Sequence, residues 1–391
     1  MFTPEEKKTV AGITFVVVAR MLGLFLLLPV LAPYVRHLEG SSPILTGIAV
    51  GIYGLTQAVL QIPFGYLSDK YGRKPVITAG FLTYIVGSIL GALAGSIWIM
   101  ITARLLQGAG AISSAAISLA ADLIREEVRT PAFAHIGASV GMVFAISITV
   151  APLLAGNLGV PFIFFLTAGL SVIAMLYVLL FIKEPTKHVK EIEPSLSNLW
   201  DLLKDKNQRM LNLSVGLLHA FLVSIFTLIP LELIHKYNFA KAEHWKIYLP
   251  VIVISVAIMI PSITLAEKKG KIKEVFCAGI FLIAVSFVTY TVFPSFYGIV
   301  AMLTLYFIGF HLLEPIMPSL LTKLSHQDTR GIAVGIYNTS QFTGAFLGGM
   351  LGGLFLKLGI LYMLITNLIL SLTWFLVTVP WISSIRFKGN S

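Results

Sequence analysis

Glu314 and His311 lie three residues apart inside an apolar run, so a helix would place them on one face. A carboxyl or an imidazole in surroundings that disfavour charge can take up and release a proton near neutral pH. Glu314 is the only acidic residue well inside an apolar run of the C-terminal half, and Pro315 and Pro318 follow it at once. Those prolines free local carbonyls and permit a kink. The pattern points to reversible proton carriage, with Glu314 as the first carrier. His219 offers a second imidazole in an earlier run, and Glu232, nearer that run's outer end, a carboxylate for proton exchange with water. Arg20 and Arg104 are also embedded in apolar sequence. An ionisable residue at such depth costs a few kcal/mol on insertion scales, so it should face protein and have a task. That task is either to tune a nearby proton carrier or attract an anionic group in a central cavity, or to pair with a carbonyl or helix end.

The elements that hold these residues must be membrane helices. Of 391 residues 57% are apolar and 12% charged, about half the charge of an ordinary soluble domain. Each crossing needs ~20 apolar residues, and twelve such runs can be counted: 12–35, 44–67, 75–95, 97–120, 133–156 and 161–182, then 211–235, 243–266, 274–293, 295–321, 331–356 and 358–380. The polar stretch 183–210, with Pro185 and Pro194, divides them into two halves of six, 1–182 and 211–391. Within it Leu196, Leu199, Trp200, Leu202 and Leu203 have the spacing of an amphipathic cytoplasmic helix, with Lys204, Lys206 and Arg209 turned to headgroups. The first run is too long for a signal-peptide core, so it is read as a retained crossing.

With the N-terminus in the cytoplasm, 21 of the 28 basic residues fall on the cytoplasmic side and five on the other. The cytoplasmic set includes Lys70, Arg73, Lys74, Lys187, Lys190, Arg386 and Lys388. This is a strong positive-inside asymmetry and puts both termini in the cytoplasm. It also accounts for the net charge of +10 without a nucleic-acid partner.

The second and eleventh runs share a heptapeptide, residues 47–53 and 331–337, both Gly-Ile-Ala-Val-Gly-Ile-Tyr, and the match resumes at Gln57 and Gln341. Both copies hold G-x-x-x-G, which lets helix backbones approach closely in lipid. The functional reading is a seam between two related halves; generic helix packing is the alternative. After the second run comes Gly65-Tyr-Leu-Ser-Asp69-Lys-Tyr-Gly72-Arg73-Lys74. Gly65 and Gly72 are suited to a tight turn, and Asp69 and Arg73 to a shared helical face. The fourth run contains Arg104-Leu-Leu-Gln107-Gly-Ala-Gly110, and the fifth Gly137-Ala-Ser-Val-Gly141 followed by Ala151-Pro152-Leu-Leu-Ala-Gly156.

Residues 65–74 resemble the signature loop of the major facilitator superfamily, G-x-L-x-D-x-x-G-R-K, and Arg104 to Gly110 resembles its R-x-x-q-G-x-G motif. The fifth run is similar to the glycine-and-proline motif of the antiporters, with Ala151 where a glycine is expected. Residues 52–58, 243–248 and 338–341 are similar to the YajR-like branch of the drug/proton antiporter family. Some members of that branch carry a further soluble C-terminal domain, and with ~11 residues after Pro380 a role for such a domain is not expected here.

The resemblance implies an all-α integral membrane fold of twelve helices in two six-helix bundles, in the inner membrane. It implies a monomeric exporter of small amphiphilic or drug-like molecules, driven by the proton gradient and without a cofactor. Asp122, with Asp69, Arg73, Gly65 and Gly72, then forms a cytoplasmic latch formed when that side closes, or else a static loop anchor. Arg104, Gln107, Tyr53, Gln57, Tyr248, Tyr306, Phe310 and Gln341 are placed near the substrate cavity by the same resemblance. The competing readings are a proton symporter for a nutrient, a membrane enzyme acting on lipids, and a channel or receptor. An enzyme would need a nucleophile, base or metal cluster, and direct ATP use a phosphate-cradling loop; neither pattern is present in the sequence. His219 and His311 stand on separate helices and Cys277 is the single cysteine, so no metal site is expected.

Overall fold

A computed structural model describes residues 2–185, 196–326 and 329–385. Lys187, Lys190, Pro194, Arg386 and Lys388 lie outside them. The described chain is helical: α1 (Pro4–Leu27), α2 (Leu31–Val35), α3 (Pro43–Tyr71), α4 (Arg73–Ala92), α5 (Ile97–Ala109), α6 (Ser113–Leu123), α7 (Glu126–Asn157) and α8 (Val160–Phe181) make up the first half. A short helix, α9 (Leu196–Lys204), precedes the second half of α10 (Lys206–His235), α11 (Trp245–Lys268), α12 (Ile272–Val292), α13 (Phe296–Leu324), α14 (Arg330–Leu358) and α15 (Ile360–Ser384).

Local chemistry sets many of the starts. The Thr3 hydroxyl accepts from Glu6 N–H while the Glu6 carboxylate accepts from Thr3 N–H, a reciprocal cap that begins α1 eight residues before the expected position 12. Ser42, Ser96, Asp205 and Ser295 cap α3, α5, α10 and α13 in the simpler way. Gly72 and Gly270 occupy the corresponding turns of the two halves, both with positive φ.

Ten helices are individually long and apolar enough to cross a membrane among the described residues. The expected fourth crossing is instead two helices, α5 and α6, broken at residues 110–112. The expected eleventh is α14, whose glycines dilute its apolar character while leaving it 29 residues long. The first is interrupted after Leu27 and resumes as α2.

A small cluster of Tyr53, Ala58 and Tyr84 with Phe342 of α14 joins the two halves, and the main apolar core common to both lies toward one end. There Leu27, Val35, Ala49, Met100, Ile148 and Phe164 of the first half cluster with α10–α15. At the opposite end Val10, Ile77, Ile112, Ala120, Ala132 and Val178 form a cluster made entirely of first-half residues. The seam between halves is α3 against α14, the most extensive helix pair in the protein. A Cβ on Gly51 would lie 2.7 Å from Phe346 O, and one on Gly54 2.6 Å from Phe342 O. Only glycine permits this backbone approach.

Candidate functional site

Two polar clusters occupy the interior, one in each half. In the first, Arg20 on α1 donates from Nε to Gly110 O at 2.7 Å, which satisfies a carbonyl released by the break between α5 and α6. Its Nη2 donates to Gln57 Oε1 on α3. Arg104 on α5 donates to Gln107 Oε1 at 2.7 Å, and Gln107 Nε2 donates to Ser88 Oγ on α4 at 2.8 Å. Both guanidiniums stand over the Tyr53 ring, at 4.8 Å for Arg104 and 5.6 Å for Arg20. Arg20 is fully buried and Arg104 nearly so, and neither has a carboxylate partner among the described residues. Arg20 Nη1, Arg104 Nε and the Tyr53 hydroxyl are buried without a hydrogen-bond partner. The first half therefore carries two desolvated positive charges held by dipoles and π faces.

In the second half, Glu314 on α13 is partly exposed, but its Oε2 is buried and unpartnered. Tyr306 and Tyr337 are within its electrostatic reach. His311 Nδ1 meets Ser255 Oγ of α11 at 2.9 Å. His219 on α10 contacts Val215 O at 3.0 Å through Nδ1 and Gln341 Nε2 at 2.8 Å through Nε2. Donation by Nδ1–H to the carbonyl leaves Nε2 as the acceptor for the Gln341 amide, so a neutral imidazole satisfies both contacts. Tyr306 OH donates to Leu218 O at 3.1 Å.

An aromatic bridge ties the second cluster to helices α1 and α7 of the first half. Phe144 of α7 stacks on Phe310 at 5.6 Å, meets the His311 ring edge-on at 6.1 Å, and reaches Phe25 of α1 at 5.1 Å. Phe310 also packs edge-on against His219 at 5.9 Å. Tyr248 lies apart from this bridge, against Phe226 and His244, with its hydroxyl unpartnered.

A third cluster surrounds the turn between α3 and α4. Arg73, almost wholly buried, pairs with Asp69 one turn earlier and with Asp122 Oδ2 at the end of α6 (2.9 Å), and donates to Ser68 Oγ at 2.7 Å. The Arg73 and Lys74 backbone N–H groups donate to the Glu184 carboxylate at 2.6 and 2.9 Å. The turn itself needs Gly72, whose φ is +98°.

The expected residues fall into three sets. Asp69, Arg73 and Asp122 come together at the turn, and so do Glu314, His311, Tyr306, Phe310, His219 and Gln341 within the second half. Gly65 corrects its expected role: it lies inside α3, one turn below Ser68, whose hydroxyl donates to its carbonyl, and makes no turn. The latch was also expected to mark closure of its own end. The cluster is formed here while the shared core lies at the opposite end, because the side-chain partners of Arg73, namely Asp69, Asp122 and Ser68, all belong to the first half, as the alternative of a static anchor implies. Tyr53, Gln57, Arg104 and Gln107 are all buried, Tyr53 in a cluster with Phe342 of α14. Glu232 is bound to Tyr290 OH at 2.9 Å and Lys236 at 3.3 Å, away from the Glu314 cluster. No group of three metal-ligating side chains occurs among the described residues.

Sequence reasoning missed Tyr337, Glu184 and Ser255. Tyr337 was available from the repeat, since it is the counterpart of Tyr53. Glu184 and Ser255 carry no local signal, because both act on partners distant in sequence.

The profile of the Major Facilitator Superfamily matches residues 13–339. The inner membrane transport protein YajR of Escherichia coli (strain K12) is 38% identical over 99% of this chain and 87% of its own length. The multidrug resistance protein MdtH of Aeromonas salmonicida (strain A449) is 26% identical over 85% of this chain and 84% of its own. Among solved structures, a bacterial homolog of the human lysosomal transporter Spinster, inward-facing and unoccupied, superposes with a TM-score of 0.76 at 13% identity, each chain covered in full.

Proposed function

The chain belongs to the Major Facilitator Superfamily, and from that premise we propose that it is a proton-coupled antiporter that exports small amphiphilic or drug-like molecules by alternating access. Membership makes it a multi-pass membrane transporter of small molecules; coupling and direction are the proposal. The observation that carries it is Glu314, a carboxylate with one buried unpartnered oxygen, one turn along α13 from Phe310 and His311 of the aromatic bridge. Protonation of Glu314 removes a charge from this level of the second half. A ligand or proton shifts a conformational equilibrium only through its differential interaction with the two states, and a carboxylate whose burial changes as the halves move would provide one. The relative named a multidrug resistance protein supports a drug-like substrate range.

In this account the halves rock about the glycine seam, and Phe144, Phe310 and His311 form the barrier between substrate and the closed end. The Arg73 cluster stiffens the opposite end of the first half and acts as a static anchor of the α3–α4 turn. The excess of lysine and arginine on one side supports cytoplasmic termini in an inner membrane, and the protein works as a monomer without a cofactor.

The test uses purified protein in liposomes with a trapped pH-sensitive dye. A panel of lipophilic cations, sugars and neutral amphiphiles is added across an imposed proton gradient. Proton movement opposite to an amphiphile supports the proposal. Movement in the same direction as the compound would reassign the protein as a symporter, and no coupled movement with any compound would remove the proton from the mechanism.

A further inference from the structure

The turn between α3 and α4 borders a surface groove of about 790 Å3, lined by Lys70, Tyr71, Lys74, Leu82, Leu179 and Glu184 among others. We propose that this groove binds an anionic phospholipid, with its phosphate between Lys70 and Lys74 and an acyl chain along α4 and α8.

The apolar wall comes from α4 and α8, which pack side by side. Leu82 and Leu179 face outward from them, 50% and 43% exposed. On a membrane-spanning helix such leucines meet acyl chains. The polar end of the groove, at Lys74, is about two helical turns along α4 from Leu82, where headgroups lie.

Its charge is positive once the internal bonds are assigned. Glu184 is the single acid among the lining residues, and its two oxygens already accept the backbone N–H groups of Arg73 and Lys74. Lys70 Nζ stands 5.4 Å from the centre of the Tyr71 ring, and no carboxylate pairs with it among the described residues. Lys74 Nζ donates to Leu179 O at 3.1 Å, which leaves two of its N–H bonds free. An ammonium group is a point-charge ligand for phosphate, and each lysine beside an anionic lipid surface contributes about fivefold in affinity. A zwitterionic lipid with the same chains gains little from either. A headgroup held here would sit against Gly72 and the backbone N–H groups that anchor the Arg73 cluster.

The full chain, delipidated in detergent, is titrated with phosphatidylglycerol or with phosphatidylcholine of identical acyl chains, and retained lipid is read by native mass spectrometry. The expected result is at least a tenfold preference for phosphatidylglycerol, abolished in Lys70→Gln/Lys74→Gln. The control Lys268→Gln/Lys269→Gln, which removes two exposed lysines at the corresponding turn of the second half, should keep the preference. Thermal midpoints of all three proteins identify any variant that has lost its fold, and single Lys70→Gln then replaces the double variant. Equal binding of the two lipids would overturn the proposal. So would an unchanged preference in the Lys70 and Lys74 variants, or an equal loss in the control, which would make the effect one of overall charge. Displacement of the lipid by inorganic phosphate alone would likewise exclude a role for the acyl groove.

Discussion

Gln57 and Gln341 stand at the same register of the two heptapeptide copies, and each binds a basic side chain on the first helix of its own half. Gln57 accepts from Arg20 on α1, and Gln341 contacts His219 on α10. The tyrosines one turn earlier differ in their surroundings: Tyr53 lies under Arg20 and Arg104, whereas Tyr337 lies within electrostatic reach of Glu314. One inherited arrangement thus surrounds fixed positive charge in the first half and titratable groups in the second.

Replacing Gln341 by Leu leaves the buried Nε2 of His219 without its partner. A cost of about 1–3 kcal/mol is expected for an orphaned buried polar group, read as a lower thermal midpoint in detergent. The double variant His219→Phe/Gln341→Leu removes both partners and should recover most of the loss. A recovery of nothing would show that the contact does not contribute.

Arg73→Ala should be far more damaging than Asp69→Asn. Arg73 and Asp122 are both about 1% exposed, whereas Asp69 is 49% exposed. Removing one member of a buried pair costs about 3–5 kcal/mol, chiefly through the charge left behind. An exposed pair contributes up to about 1 kcal/mol. Thermal unfolding of the two variants side by side checks the order.

The seam sets a conformational prediction. A leucine at Gly51 would drive its Cβ to 2.7 Å from Phe346 O and hold α3 off α14. Overpacking of about 1–3 kcal/mol shifts a two-state equilibrium roughly 5- to 150-fold. Spin labels placed on α3 and α14 near Pro43 and Leu358, after Cys277→Ser, should report a longer separation in Gly51→Leu. An unchanged distance distribution would mean that the seam does not govern which end is closed.

The legible parts of this fold were those written in periodicity and charge. Apolar runs located the crossings, and Asp69 and Arg73 at helical spacing announced their pair. The break in the fourth crossing was not legible, because it depends on Arg20, some 90 residues earlier, accepting the burden of the freed Gly110 carbonyl. Gly65 and Gly72 look alike as letters, yet only Gly72 needs a positive φ, and the backbone path decides between them. Glu184 seemed part of a polar linker until its carboxylate was seen to cap the start of α4. Burial of Arg104 and Gln107 inside one half likewise follows from helix rotation, which motif spacing does not report.

Proton coupling at Glu314 is tested most directly by comparing two assays of Glu314→Gln in liposomes. One is uptake driven by a proton gradient; the other is exchange of labelled for unlabelled substrate with no gradient. The account predicts that the gradient-driven assay falls to background while exchange persists within a fewfold of wild type, since glutamine fills the site but carries no proton. Gradient-driven transport at the wild-type rate in the same preparation would contradict it and move the carrier away from Glu314.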